Sequence, residues 1–203
     1  MRPAWLQLLL AASLCACSAA SSATDLRWRF DIDTRLIRYD TDRGDDFHST
    51  QGLAVRAGLY LNHYLSLEAG AVLNNRVIDD TRKDIAGFYQ VSLEQQGLLL
   101  GLRASHRFTS PYEVFARLGL SHARTELAVT EASDDSTPPV SVSASDRTLG
   151  YYIAFGGTHF ITPTIEAHLE LGRETQPDLF SDRSRYPFDL DALSLAFGIG
   201  ILF

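Results

Sequence analysis

The sequence predicts an all-β protein, an eight-stranded antiparallel up-and-down transmembrane β-barrel. Three observations indicate this fold. Eight segments alternate large apolar residues with small or polar ones, which is the side-chain period of a β-strand. The connections between these segments alternate between short turns and long polar stretches. The small face and the large apolar face fit the lumen and the lipid side of a membrane barrel, in which strands pair around a closed ring.

The beginning of the chain has the layout of a secretory signal peptide. Arg2 supplies a positive start, residues 5–14 are apolar, and small residues follow. This pattern is too short for a membrane anchor. We therefore expect residues 1–23 to be a signal peptide and residues 24–203 to form the barrel domain.

Both cysteines of the chain, Cys15 and Cys17, lie in the predicted signal peptide. Cleavage after Ala20 or Ala23 would leave a mature chain without a thiol for a disulfide or a zinc site. Residues 14–17 loosely resemble a lipoprotein cleavage box, and lipidation at Cys17 is the alternative.

The first four strands follow the targeting segment. Their large residues alternate with small or charged ones and are Trp28, Phe30, Ile32 and Leu36; Leu53, Val55, Ala57, Leu59 and Leu61; Leu65, Leu67, Ala69 and Ala71; and Leu98, Leu100, Leu102 and Ala104. Val91 and Leu93 have the opposite phase from Leu98. Either a β-bulge near residues 95–97 or a loop that reaches this point would reconcile the two phases.

The last four strands show the same alternation. Their large residues are Val114, Ala116, Leu118 and Leu120; Leu149, Tyr151, Ile153 and Phe155; Ile165, Ala167, Leu169 and Leu171; and Leu193, Leu195, Phe197, Ile199, Ile201 and Phe203. The last strand has eleven residues, the length that a tilted strand needs to cross a bilayer.

Short turns are expected on one rim of the barrel and long loops on the other. The short connections are residues 62–64, 109–111 and 161–164, and the long ones are 41–51, 74–92, 127–147 and 175–191. This asymmetry is typical of outer-membrane barrels, whose termini lie on the short-turn, periplasmic side. The third long loop, which is acidic and rich in Pro and Ser, is predicted to be the most mobile.

A soluble lipocalin-like barrel is the alternative fold, but its outer face should carry many charged residues. The face that is not apolar here is mostly Gly, Ala and Ser, which fits the narrow lumen of an eight-stranded barrel. Aromatic residues near the strand ends are candidates for an interfacial girdle: Trp28, Tyr64, Phe108, Tyr112, Phe160 and Phe203.

Three hairpins resemble the OmpA-like, opacity-type family of outer-membrane β-barrel domains. They are residues 61–70, 108–119 and 160–167, and the resemblance covers roughly residues 50–203. It implies a bacterial outer-membrane location, with outer-membrane lipids and lipopolysaccharide as surroundings. It also implies that Phe203 is a C-terminal signal for the barrel assembly machinery.

The lumen face carries a set of charged residues. The candidates for an internal ion-pair network are Asp31, Asp33, Arg35, Glu68, Arg103, Arg117, Glu166, His168 and Glu170. Charges inside a narrow barrel must be paired, because their desolvation cost is otherwise not recovered. The alternative is a gated path for protons or ions.

No catalytic constellation is found. Ser105 and Ser121 each precede a histidine, His106 and His122, but neighbours on a strand point to opposite faces. No cofactor or metal site is predicted, and the net charge of −7 argues against nucleic acid as a partner. We expect a non-enzymatic barrel with a structural or surface-interaction role through four exposed loops, whose partner is unknown. The alternatives are a small or gated pore and a lipid A-modifying enzyme.

Overall fold

The computed structural model describes residues 27–42, 49–78, 82–84, 87–132, 140–182 and 187–203. Its strands in these ranges are β1 (Trp28–Thr41), β2 (Thr50–Tyr60), β3 (Leu65–Ile78), β4 (Arg82–Asp84), β5 (Gly87–Thr109), β6 (Tyr112–Ala132), β7 (Val140–Phe160), β8 (Ile165–Leu179) and β9 (Phe188–Leu202). No helix in the described ranges is long and apolar enough to cross a membrane.

Eight of the described strands form a closed ring in which every neighbouring pair is antiparallel. The strands follow the chain around the ring, β3 pairs with β5, and β1 pairs with β9 to close it. The three-residue strand β4 adds only to the upper end of β5. The predicted fold class is therefore confirmed.

The two faces of the ring differ as the alternation predicts. In β9, Phe197 and Ile199 expose 58% and 52% of their surface, whereas the intervening residues Ala196 and Gly198 face inward and are buried. The outer face of the other long strands is similarly apolar over the length that would cross a membrane. Such a face suits contact with lipid, and ring closure satisfies the backbone polar groups.

The strands extend further than the sequence predicts, and the four long connections are correspondingly shorter. The predicted loops at 41–51, 74–92, 127–147 and 175–191 shrink to the segments 42–49, 79–86, 133–139 and 180–187, and the second of these contains β4. Above a membrane both faces of a strand can be polar, so that pairing continues where the alternation ends. Residues 133–139, the centre of the loop predicted to be mobile, lie outside the described residues.

Val91 and Leu93 differ in phase from Leu98 for a reason other than the two predicted alternatives. The pairing of β5 with β6 runs without interruption past residues 95–97, so no bulge or loop lies there. Leu93 points inward and is fully buried because apolar side chains fill this end of the lumen. The extra residue lies instead in the partner strand β3, after Asn74.

The aromatic girdle is confined to residues that face outward. Tyr64, Phe108, Tyr112 and Phe203 each expose more than half of their surface near the short-turn rim. The prediction for Phe160 is wrong: it lies on the inward phase of β7 and is buried, with the guanidinium carbon of Arg107 3.8 Å from its ring centre.

Strands β5, β6 and β7 rise above the rest of the ring on the long-loop side. We call their upper parts, residues 87–97, 123–132 and 140–148, the raised wall. The row Val91, Val129 and Val142 lies seven residues beyond the row of Leu98, at the upper edge of the apolar belt. At about 3.3 Å per residue, this is roughly 20 Å along the strands.

Candidate functional site

The interior of the barrel is built around Arg117, which is fully buried on β6. Its guanidinium contacts carboxylates from three other strands. Nη2 lies 2.7 Å from Asp31, Nε lies 2.8 Å from Glu68, and Nη1 contacts Glu170. One cation therefore ties β1, β3 and β8 to β6 across the lumen.

Arg29 forms the part of the interior nearest the short-turn rim. Its Nε donates to Asp31 over 2.8 Å, and its Nη2 contacts Glu166. All three side chains are almost completely buried. Arg29 and Arg117 thus share Asp31, which makes one continuous network of the two clusters.

Arg56 and His168 extend the network toward the middle of the lumen. Arg56 contacts Asp33 and donates to Glu170 over 3.1 Å. Nε2 of His168 lies 2.5 Å from the other oxygen of Asp33, and its Nδ1 lies 3.7 Å from Glu166. His168 therefore lies between the carboxylates of Asp33 and Glu166.

The remaining two sequence candidates lie at opposite sides of this network. Arg35 donates to the hydroxyl of Ser194 over 3.2 Å, and Glu174 is 4.0 Å away. Arg103 donates to Glu113 and to Thr158 over 2.9 and 3.1 Å. All nine charged candidates thus point into the lumen and are buried.

Glycines on β9 leave the space that these side chains occupy. A Cβ atom built at Gly198 would lie 2.6 Å from Nε2 of His168, and one at Gly200 would lie 2.5 Å from Oδ1 of Asp31. Real Cβ atoms essentially never approach other atoms so closely. The small residues of the last strand are therefore required by the buried charges opposite them.

A neutral polar layer and an apolar plug fill the lumen above the charges. In the layer, the hydroxyl of Tyr39 donates to Gln95 over 3.1 Å and accepts a hydrogen bond from Asn74 over 2.8 Å. The plug consists of Ile37, Tyr39, Val77, Leu93, Leu179, Phe180, Leu190 and Ala192. Phe180 comes from the β8–β9 connection, where its backbone amide donates to Asp146 over 2.6 Å.

A small cavity lies between some of these groups. A cavity beside Arg35, Tyr152 and Glu170 has a volume of about 10 Å³. This is room for about one water molecule.

Among the described residues, Asp31, Glu166 and His168 could hold a metal, because their ligand atoms lie within 4.8 Å of one another. Arg29 already contacts both carboxylates. A cation would have to compete with this guanidinium, so the arrangement is better suited to ion pairing than to metal binding.

The two Ser-His pairs do not form a nucleophilic site. Ser121 is buried in the lumen and accepts a hydrogen bond from Gln176 over 2.7 Å, while His122 is exposed on the outer face. His106 is also exposed, and it lies against Phe108. Each histidine is therefore separated from its serine by the wall of the barrel.

Several buried charges are missing from the sequence candidates: Arg29, Arg56, Glu113 and Glu174. Each lies on the inward phase of its strand, so the alternation carried the signal for all four. Phe203 is exposed at the rim, and its amide donates to the carbonyl of Trp28 over 2.9 Å. Its role in assembly stays a prediction.

The sequence matches a family model described as outer membrane protein beta-barrel domain, over residues 8–200. No curated protein matches it.

Three of the solved structures with similar folds are bacterial proteins of low sequence identity. Ail, the attachment invasion locus protein of Yersinia pestis, is 10% identical, with a TM-score of 0.55 over 89% of this chain and 100% of that chain. Neisserial surface protein A is 11% identical, with a TM-score of 0.54 over 86% and 96%. OprG from Pseudomonas aeruginosa is 11% identical, with a TM-score of 0.53 over 86% and 95%. At these identities the likeness shows the fold alone.

Proposed function

Because this chain belongs to the outer membrane protein beta-barrel domain family and lies in the bacterial outer membrane, we propose that it is a closed, non-enzymatic barrel with a surface-interaction role. The observation that carries the proposal is the filled lumen. Buried ion pairs, a neutral polar layer and an apolar plug follow one another from the short-turn rim to the other end. Such an interior stabilises a scaffold and opposes the passage of ions.

The raised wall is the feature best suited to contact a partner. Strand β8 pairs with β7 only from Tyr151 to Phe160, so residues 140–144 of β7 form an edge in the described part of the chain. Val140 and Val142 expose 61% and 67% of their surface there. Long exposed edges with apolar side chains are templates for strand addition by another polypeptide.

Conductance in planar bilayers tests whether the barrel is closed. We expect no channel steps from the wild-type protein. A variant that combines Arg117→Ala, Tyr39→Ala and Leu93→Ala should conduct, because it removes one large side chain from each layer of the filling. Steady conductance of the wild type would favour the small pore that is the second candidate function.

Vesicle capture tests the surface role. Vesicles with the protein oriented outward would be passed over immobilised extracellular polypeptides and sulfated sugars. The sugars are included because Ail has been crystallised in complex with the heparin analogue sucrose octasulfate. We expect capture to fall when Val140 and Val142 are both changed to Lys, and to persist when Tyr64 on the opposite rim is changed to Ser. Equal capture of all three proteins would contradict a role for the raised wall.

The mass of lipid A tests whether the protein is a lipid A-modifying enzyme. Lipid A extracted from cells that produce the protein should have the same mass as lipid A from cells that lack it. A change in acyl-chain number would contradict the non-enzymatic role.

A further inference from the structure

Two arginines face each other on the outside of the raised wall. Arg124 of β6 and Arg147 of β7 are direct cross-strand partners. Both are exposed, whereas Ala123 and Thr125, the neighbours of Arg124 along the strand, are buried on the inner face. The two guanidinium groups therefore extend from the same outer surface.

This pair lies directly above the apolar belt. The row of His122 and Leu149 comes two residues before it along the strands, and Leu149 exposes 60% of its surface. Two residues correspond to roughly 7 Å. The guanidinium groups are thus at the level where the polar headgroups of the outer leaflet meet the protein.

The carboxylates near Arg124 and Arg147 do not occupy both guanidinium groups, so the pair can bind an anion. Like charges directly opposite each other destabilise a sheet. Glu126 is 3.8 Å from Arg124, and no acidic side chain in the described residues forms an ion pair with Arg147. By contrast, Arg173 on the outer face of β8 donates twice to Asp191, over 3.3 and 2.7 Å.

We propose that Arg124 and Arg147 together bind a phosphate group on the headgroup of a phosphorylated glycolipid of the outer leaflet. Guanidinium groups match phosphate oxygens with paired hydrogen bonds, and a shared anion removes the repulsion between them. The exposed Leu118, Leu120 and Leu149 lie below the pair along the same two strands and would contact the acyl chains of the same molecule. A membrane lipid supplies both the phosphate group and the acyl chains, whereas free phosphate supplies only the phosphate group. The site is independent of the closed lumen.

Native mass spectrometry of the purified protein in detergent tests this site. The probes are diphosphoryl lipid A, dephosphorylated lipid A with the same acyl chains, and inorganic phosphate. We expect diphosphoryl lipid A to bind, and its affinity to fall roughly tenfold in each of Arg124→Gln and Arg147→Gln, the effect of losing one charge-assisted hydrogen bond. The matched control is Arg173→Gln, an exposed arginine on the same surface with its own carboxylate, which should bind like the wild type.

Three results would overturn the proposal. The first is equal binding by the double variant Arg124→Gln/Arg147→Gln and the wild type. The second is equal loss in Arg173→Gln, which would indicate attraction to positive charge in general. The third is equal binding of dephosphorylated lipid A, or displacement of lipid A by an equimolar amount of inorganic phosphate. A gel shift on boiling would verify that every variant is folded.

Discussion

Replacing Arg117 by Met is the most direct test of the interior. The substitution leaves three buried carboxylates without their shared cation. Asp31 keeps Arg29 and Glu170 keeps Arg56, but in the described residues the ion pair of Glu68 is with Arg117 alone. Breaking a buried ion pair by removing one partner costs about 3–5 kcal/mol, because a charge is left uncompensated. We expect the free energy of unfolding to fall by that amount.

The second half of this test removes the carboxylate of Glu68, which Arg117→Met leaves unpaired. Adding Glu68→Leu to Arg117→Met should restore most of the lost stability, because an apolar replacement of a buried pair is often close to neutral. Urea titration of the protein refolded in phospholipid vesicles, followed by gel mobility without boiling, measures both free energies. Arg76→Met is the control, since its exposed pair with Glu94 should contribute about 0–1 kcal/mol.

Two results would contradict this role of Arg117. A loss below about 1 kcal/mol for Arg117→Met would mean that the carboxylates are neutral or solvated without the arginine. The absence of any rescue by Glu68→Leu would mean that packing, not charge, sets the role of Arg117.

The remaining predictions concern both faces, the plug and the terminus. Ile199→Arg should cost roughly 2–4 kcal/mol in urea titrations, because it places a charge on the lipid face near mid-membrane, and unchanged stability would refute the facing of β9. Gly198→Ala should lower the yield of refolded protein, since His168 occupies the space that the new methyl group needs. Leu93→Ala should cost about 2–5 kcal/mol through the cavity that it leaves. Phe203→Ser should reduce assembly in cells but not refolding in detergent, and equal loss in both assays would contradict a signalling role.

The membrane makes the ring predictable from the sequence. Lipid requires large apolar residues on one face, so the alternation identified all eight ring strands and assigned their faces. Where the strands leave the membrane, both faces meet water and this requirement ends. The sequence therefore predicts loops for the upper parts of β5, β6 and β7. Leu93 disturbed the pattern for a related reason, because an apolar side chain in the lumen mimics the outer phase.

The charged interior was predictable as a set but not as a network. Inward phase alone places Arg117 and Glu170 in the lumen, but they come from strands that are not neighbours. The pairing of each guanidinium with a carboxylate depends on the register of the strands around the ring. It also depends on glycines, such as Gly198, that leave space for the charged side chains. The Arg124 and Arg147 pair depends in the same way on the register of β6 with β7.

The uneven height of the barrel has a consequence for how the protein enters its membrane. The beginning of β1, the end of β9 and the short turns lie at one rim, so the taller side of the ring has to pass through the hydrocarbon core. Backbone amides and carbonyls cannot cross that core unpaired. The hairpins β5–β6 and β6–β7 are therefore expected to form all their backbone hydrogen bonds before they cross the membrane. Their crossing is then the slow step of insertion. A barrel trimmed to even height should insert faster.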